Sequence, residues 1–126
     1  MTIDAQILAA LRGTHSVSGA ELAGRLGISR AAIWARIEDL RKLGYEIEAS
    51  PHHGYRLRHS PDLLLADDLA SRLGDGCVVG REIHVFKETA STNDVVERLA
   101  RDGAKEGVVV FAESQTKGRG RLGRKW

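Results

Sequence analysis

The sequence predicts an α+β protein built from two parts of different architecture. In residues 1–60, three segments of helical periodicity precede two short segments in which apolar and polar residues alternate. In residues 61–126, a strand-helix-strand pattern leads into a loop rich in glycine and arginine. Because Ser60-Pro61 separates the two patterns, we place a domain boundary there. We expect the second part to be the opening, incomplete portion of an α/β domain.

Three helices are predicted in the first part. Apolar residues recur at helical spacing through residues 3–11, and Gly13 ends this segment. Ser18-Gly19-Ala20-Glu21 has the form of a capping box and predicts the start of a second helix. Ser29 is the expected N-cap of a third helix, which Gly44 ends. The apolar residues that share one face of this third helix are Ile33, Ile37 and Leu40.

A hairpin is predicted after the third helix. Apolar and polar residues alternate in Tyr45–Ala49 and again in Tyr55–Arg58, and Ser50–Gly54 has the composition of a turn. Three helices followed by a short hairpin are typical of a winged helix-turn-helix domain. In such a domain one helix lies in the major groove of DNA.

The face of the third helix opposite its apolar residues is the surface that we expect to contact DNA. Cations beside it would neutralise phosphates, which gives affinity without sequence information. The candidate DNA-binding residues are Ser29, Arg30, Ala31, Trp34, Ala35, Arg36 and Arg56.

Other interpretations of this surface stay open. The domain could bind a protein partner instead of DNA. Arg36 could be a solvated helix cation that pairs with Glu38 or Asp39, and Trp34 could pack on the wing, contact a second copy or touch DNA. His52 and His53 are adjacent in the turn, but without a third ligand they favour a solvated loop, and we predict no metal site.

The second part predicts two helices and two strands. Residues 63–73 have helical spacing and end at Gly74, and residues 83–86 form a strand candidate. Residues 92–99 predict another helix, and the apolar run at residues 108–111 predicts a buried strand.

Composition excludes several classes of protein. Of the 126 residues, 42% are hydrophobic and 29% are charged, which is the balance of a globular protein. No apolar segment approaches the roughly 18 residues that span a bilayer, and the N-terminal residues lack the pattern of a signal peptide. Cys77 is the only cysteine, so an intrachain disulfide is impossible. We therefore expect a cytoplasmic protein.

The last ten residues, Lys117–Trp126, contain five cations, three glycines and no acid. Glycines let backbone N–H groups approach an anion closely, and arginines present planar forks that suit phosphate and carboxylate oxygens. Since such a loop repels itself when empty, an anionic ligand is expected to order it.

These residues resemble the biotin–protein ligases. The resemblance rests on the segment Glu88-Thr-Ala-Ser-Thr-Asn93, on Gln115, and on Gly118-Arg-Gly-Arg-Leu-Gly-Arg-Lys-Trp126. With the winged helix in front, the chain is similar to the bifunctional subgroup that also represses the biotin operon. The segment Leu26–Ile33 and the wing residues Gly54-Tyr55 resemble that subgroup as well.

The resemblance implies an activity and a set of site residues. Members of this family join biotin to AMP with ATP and Mg²⁺, and then transfer biotin to a lysine of biotin carboxyl carrier protein. Arg119 and Arg121 would be catalytic because they would meet the biotin carboxylate and the α-phosphate. The residues implied in binding biotin and nucleotide are Ser91, Thr92, Asn93, Gln115, Gly118, Arg119, Gly120, Arg121, Arg124 and Trp126. The residues alone also allow Ser91 or Thr92 to cap the following helix instead.

The family's regulation is implied too. The adenylate would promote a homodimer that binds a palindromic operator. The family's lysine-bearing segment (Lys-Trp-Pro-Asn-Asp) and C-terminal barrel do not occur in the sequence, so we expect the 126 residues alone to be catalytically incomplete. Two alternatives remain: a DNA-binding regulator whose ligase segment is inactive, and a glycine-arginine loop that contacts nucleic acid.

Overall fold

The computed structural model describes residues 1–126, which divide into two compact units, Met1–Leu63 and Leu64–Trp126. We call these the winged unit and the ligase-like unit. The division falls just after Ser60-Pro61, where the sequence pattern changes.

Three helices begin the winged unit: α1 (Ile3–Leu11), α2 (Gly19–Leu26) and α3 (Arg30–Lys42). The side-chain oxygens of Thr2, Ser18 and Ser29 accept the N–H groups of Ala5, Glu21 and Ala32 at 3.1, 3.0 and 3.1 Å. The predicted caps at Ser18 and Ser29 are therefore confirmed. In a complete capping box the Glu21 carboxylate would also accept the backbone N–H of Ser18. This part of the prediction is wrong, because the Glu21 carboxylate pairs with Arg25, one turn later in α2.

The core of the winged unit is formed by apolar side chains from all three helices. Gly27, in the left-handed conformation at φ 68°, ends α2 and turns the chain into α3. The fully buried large side chains are Ile7, Leu8, Leu11, Leu22, Ile33, Ile37 and Leu40. The predicted apolar face of α3 is thus confirmed.

An antiparallel hairpin completes this unit as the wing, with strands β1 (Glu46–Ser50) and β2 (Gly54–His59). Its base is bonded to the α1–α2 linker. The Tyr55 N–H donates to the Val17 carbonyl at 2.7 Å, and the Val17 N–H donates to the Tyr55 carbonyl at 2.9 Å. A side chain at Gly54, whose φ is +94°, would place its Cβ 2.4 Å from the Val17 carbonyl oxygen. Glycine is therefore required at the start of β2.

The ligase-like unit contains two helices, two strands and a final single turn. The elements are α4 (Ala66–Leu73), β3 (Glu82–Thr89), α5 (Thr92–Arg101), β4 (Val108–Gln115) and a 3-10 turn (Arg121–Gly123). Strands β3 and β4 are parallel and α5 connects them, as the strand-helix-strand pattern predicted.

The bounds of these elements differ from the predicted ones. The first predicted helix of this unit begins at Ala66 and not at residue 63, because Leu65 is extended and the Leu64 N–H donates to the Glu113 carboxylate at 2.7 Å. Both strands are longer than predicted, since parallel pairing continues through polar residues to Thr89 and Gln115. Inter-strand hydrogen bonding extended these strands beyond their apolar runs.

Burial in this unit is shallow. Val95 of α5 is its only apolar side chain that is less than a tenth exposed, while residues 83–86 of β3 and 108–110 of β4 are half-buried. No helix anywhere in the chain is both long enough and apolar enough to cross a membrane.

Candidate functional sites

The outward face of α3 borders a groove of about 600 Å³. One wall is α3 itself, and the other walls are the start of α2 and the turn of the wing. Trp34, 59% exposed, lines the groove together with Tyr55 of β2. The residues around the groove are Ser18, Gly19, Ala20, Arg30, Ala31, Trp34, Ala49, Ser50, Pro51, His52, Gly54 and Tyr55. An exposed indole therefore stands between the helix and the wing.

The cations predicted to contact phosphates have different surroundings. Arg36 lies 3.8 Å from Asp4 of α1, so its partner is neither Glu38 nor Asp39. Arg36 thus lies on the α1 side of α3, on the other flank of the helix from Trp34.

Two other arginines of this unit are held by the protein. Arg41 donates to the Ile47 carbonyl at 2.7 Å and pairs with Glu38 at 2.5 Å, which ties α3 to β1. Arg58 pairs with Glu48 at 2.5 Å across the hairpin, and its hydrogen bond holds the pKa of the Glu48 carboxyl below its usual range.

Arg30 and Arg56 have no carboxylate partner among the ion pairs of this unit. Arg30 is exposed at the start of α3, and Arg56 is half-buried on β2 opposite Glu48. Ser29, Ala31 and Ala35, which belong to the same predicted DNA surface, are exposed as well.

The second candidate site lies where β3 and β4 end. Their parallel register places Thr89 beside Gln115, so the segments that follow both strands leave the same edge of the sheet. The Thr116 N–H donates to the Thr89 carbonyl at 3.0 Å, and the Lys117 N–H donates to the Ala90 carbonyl at 2.7 Å. The root of the glycine-arginine loop is thereby fixed to the entrance of α5.

Gln115 caps α5 from the neighbouring strand. Its Oε1 accepts the backbone N–H of Thr92 at 2.8 Å and the Thr92 hydroxyl at 3.2 Å. Ser91 occupies the N-cap position, but its side chain makes no capping hydrogen bond, so the alternative role of Ser91 as helix cap is wrong. The Ser91 side chain is buried at this junction, 2% exposed.

The capping bond fixes the orientation of the Gln115 amide. Because a backbone N–H only donates, Oε1 faces Thr92 and the Nε2 donor is on the side of Gly118. A Cβ at Gly118 would lie 3.1 Å from Nε2. Any side chain at this position would crowd the amide, which supports the choice of glycine in the motif.

An ion pair joins the loop to α5. Nη2 of Arg119 donates to Oδ1 of Asp94 at 2.7 Å. This hydrogen bond lowers the pKa of the Asp94 carboxyl and raises the pKa of the Arg119 guanidinium. Asp94 was not predicted as a site residue. Its sequence signal was an acid directly after Ser-Thr-Asn, in the first turn of a helix, facing a loop without any acid of its own.

The rest of the loop forms a small turn of its own. The Gly120 N–H donates to the Arg124 carbonyl at 2.6 Å, and Leu122 has a left-handed backbone, φ 58°. Leu122 and Trp126 are 95% and 86% exposed. Arg121, Arg124 and Trp126 make no side-chain hydrogen bond or ion pair with residues 91–93, so the structure brings together only part of the predicted set. The residues that do converge are Ser91, Thr92, Gln115, Gly118 and Arg119.

Metal ligands are sparse throughout the chain. No group of three His, Cys, Asp or Glu side chains is close enough to hold a metal ion. The site at the strand ends offers guanidinium groups, amides and hydroxyls, which are donors to anions and to neutral polar groups.

Comparison with known proteins finds a family match within the winged unit and relatives that match most of the chain. Residues 4–56 match a family described as an HTH domain. The chain is 40% identical over 114 residues to the bifunctional ligase/repressor BirA of Bacillus subtilis (strain 168), covering 90% of this chain and 35% of the relative. It is 36% identical over 126 residues to the protein of the same name from Escherichia coli (strain K12), covering 99% of this chain and 37% of the relative.

A shorter match reaches a protein named biotin–[acetyl-CoA-carboxylase] ligase from Mycobacterium tuberculosis, 49% identical over 47 residues, which are 36% of this chain and 18% of the relative. The chain spans about a third of the length of the first of these curated relatives. The predicted helix-turn-helix domain and the predicted resemblance to the bifunctional ligase/repressors are both confirmed.

Proposed function

We propose, from the similarity of this chain to the N-terminal third of the bifunctional ligase/repressors, that it contributes operator binding and the substrate loop to such a protein. The whole protein would form biotinyl-AMP from biotin and ATP, transfer biotin to a lysine of biotin carboxyl carrier protein, and repress transcription. The observation that carries the proposal is the fixed junction of Thr92, Gln115 and Arg119 behind a winged helix.

In this proposal the winged unit binds operator DNA. The exposed face of α3, with Ala31, Trp34 and Ala35, would contact base edges in the major groove. Arg30 and Arg56 would neutralise phosphates on either side, because no carboxylate of the unit pairs with them. Ser29 and Arg36 complete the proposed surface, Arg36 from the α1 side of the helix.

The ligase-like unit would hold two anions that repel each other. Arg119 and Arg121 would neutralise the biotin carboxylate and the α-phosphate of ATP, which lets the two groups approach for condensation. Ser91, Thr92, Asn93 and Gln115 offer small polar groups that suit the neutral ureido ring of biotin. Gly118 and Gly120 would let the backbone of the loop approach these ligands, and Arg124 and Trp126 would help to order the loop and the nucleotide.

The guanidinium groups, amides and hydroxyls at the strand ends would bind the anionic nucleotide. Mg²⁺ would be bound mainly by the phosphates of ATP, where it neutralises charge. The residues of this chain would bind and orient the anions and exclude water from them by ordering the loop.

Regulation would couple the two units. We propose that the adenylate orders the loop and favours a homodimer, and that two winged units then bind a palindromic operator together. Biotinyl-AMP would thereby promote operator binding when no carrier protein remains to accept biotin.

The ligase part of the proposal is tested on the gene product that contains this chain. With biotin, MgATP and no carrier, it should retain biotinyl-AMP through gel filtration, detected by mass spectrometry. Arg121→Ala should lose the adenylate, whereas the matched control Lys105→Ala, an exposed cation before β4, should retain it. A wild-type protein that retains neither biotin nor nucleotide would refute the ligase function.

A further inference from the structure

The glycine-arginine loop is attached to α5 by a continuous series of bonds that ends at one side-chain pair. Backbone bonds fix Thr116 and Lys117 to residues 89 and 90, and Gln115 caps α5. Arg119–Asp94 is the last bond of this series. Beyond it, the loop is held only by bonds within residues 119–125.

Asp94 is well placed to fix the loop. It lies in the first turn of α5, and the residue that caps this helix, Gln115, is also the root of the loop. The position of the Asp94 carboxylate relative to the loop therefore depends on a few short, rigid connections. Asp94 also supplies the negative charge that Lys117–Trp126 lacks, so it reduces the repulsion among the loop's five cations.

The pair leaves most of the guanidinium available. Only Nη2 of Arg119 donates to Asp94, at 2.7 Å. A guanidinium carries five N–H donors, so the others can still bind an anion. Both side chains are about half exposed, 46% for Arg119 and 50% for Asp94, so a ligand from solvent can reach them.

We propose that Asp94 is a positioning residue for anion binding: it holds Arg119 against α5 by one hydrogen bond and leaves the remaining donors for an incoming carboxylate. The identity of that carboxylate, biotin, rests on the proposed function. Asp94 itself touches neither the ligand nor the reacting atoms. Asp94 keeps the loop mostly in its docked conformation. The free-energy cost of ordering the loop when the ligand binds is therefore smaller.

The first experiment measures loop docking without any ligand. Chymotrypsin cleavage after the exposed Leu122 is followed by mass spectrometry in the 126-residue chain and in the variants Asp94→Ala, Arg119→Ala and the double variant. Each single variant should be cleaved roughly two- to fivefold faster, as expected for loss of an exposed ion pair. The double variant should be cleaved no faster than either single one. Unchanged or additive rates would overturn the proposal.

Two further variants separate docking from general effects of charge. Asp94→Asn keeps an oxygen that accepts from Arg119, so its cleavage rate should lie between those of the wild type and Asp94→Ala. Arg101→Gln breaks the Glu97–Arg101 pair, 2.5 Å, on the same helix and should leave cleavage after Leu122 unchanged. Acceleration by Arg101→Gln equal to that by Asp94→Ala would contradict a specific role of Asp94.

The second experiment measures biotin affinity by calorimetry in the gene product that contains this chain. Asp94→Ala should raise the Kd for biotin about two- to fivefold without changing the melting temperature, and Asp94→Asn should restore part of the affinity. Tighter binding of biotin by Asp94→Ala would overturn the proposal that Asp94 positions Arg119. It would show instead that Asp94 competes with the ligand for the Arg119 guanidinium. If the wild type does not bind biotin, the ligase proposal fails, while the cleavage data still decide whether Asp94 fixes the loop.

Discussion

The winged unit and the ligase-like unit are equal in length, but they bury their apolar residues very differently. Seven large side chains of the winged unit are fully buried, whereas Val95 is the only apolar residue of the ligase-like unit below a tenth exposure. The winged unit has three helices and a hairpin around one core. The ligase-like unit has two parallel strands, and parallel sheets are normally covered on both faces. We therefore expect the winged unit to supply most of the chain's stability.

The two units also differ in how their candidate sites depend on the fold. In the winged unit, local signals fix the fold, and the proposed DNA-binding face is a consequence of it. In the ligase-like unit, the candidate site itself helps to hold the loop in place. Gln115, at the root of the loop, bonds to Thr92 of α5. Arg119 of the loop bonds to Asp94 of the same helix. Substitutions in the candidate site of the second unit should therefore change how firmly the loop is docked.

Removing a core side chain should give the largest effect. Ile37→Ala, at a fully buried position of α3, should lower the free energy of unfolding by about 2–5 kcal/mol through lost burial and a residual cavity. The comparison is Val95→Ala, which removes less volume from a thinner core and should cost less. Thermal unfolding of both variants measures the difference, and equal losses would contradict the asymmetry between the units.

Gly54→Ala should be the next most damaging change. Its Cβ would overlap the Val17 carbonyl, and its φ of +94° adds a backbone strain of about 1–3 kcal/mol. The matched control is Gly24→Ala, a helical position in α2 with nothing within 4 Å of the new Cβ. This control should stabilise the chain by about 0.5–1 kcal/mol. Denaturant unfolding compares them, and a tolerated Gly54→Ala would show that the base of the wing is not fixed to Val17.

Trp34→Ala should affect binding and not folding. The side chain is exposed beside the wing, so stability should change by less than about 0.5 kcal/mol. Affinity for duplexes selected by the wild-type chain from a random pool should fall by about 1–3 kcal/mol. Leu43→Ala, exposed at the other end of α3, is the control and should bind normally. Normal binding by Trp34→Ala would place the DNA surface elsewhere.

The smallest effect should come from the Glu48–Arg58 pair on the wing. Since the hydrogen bond from Arg58 lowers the pKa of the Glu48 carboxyl, the pair stabilises the wing above the usual pKa of glutamate, about 4.3. This contribution is lost as the pH falls through the lowered pKa. NMR titration of the Glu48 carboxyl should show the low pKa, and Arg58→Gln should return it toward the usual range. A Glu48 pKa that Arg58→Gln leaves unchanged would assign the shift to another cause.

Much of the fold followed from short-range patterns. The periodicity of α3, the caps at Ser18 and Ser29 and the turn at Gly27 depend on residues within about one helical turn, so the sequence reveals them directly. The bounds of α4 and β4 were less predictable because Leu64 bonds to Glu113, 49 residues away. A hydrogen bond over that separation leaves no periodic signal.

The candidate site divides in the same way. Residue types alone predicted an anion-binding loop, because forked cations and glycines together suit carboxylate and phosphate oxygens. The Ser-Thr-Asn segment was predicted from the resemblance to the biotin–protein ligases. Tertiary structure decided that Gln115 caps α5 across 23 residues, that Asp94 holds Arg119 across 25, and that Arg36 faces Asp4. The physical reason is that the residue type sets the chemistry of a side chain, whereas the register of two strands and the packing of helices set which group that side chain bonds to.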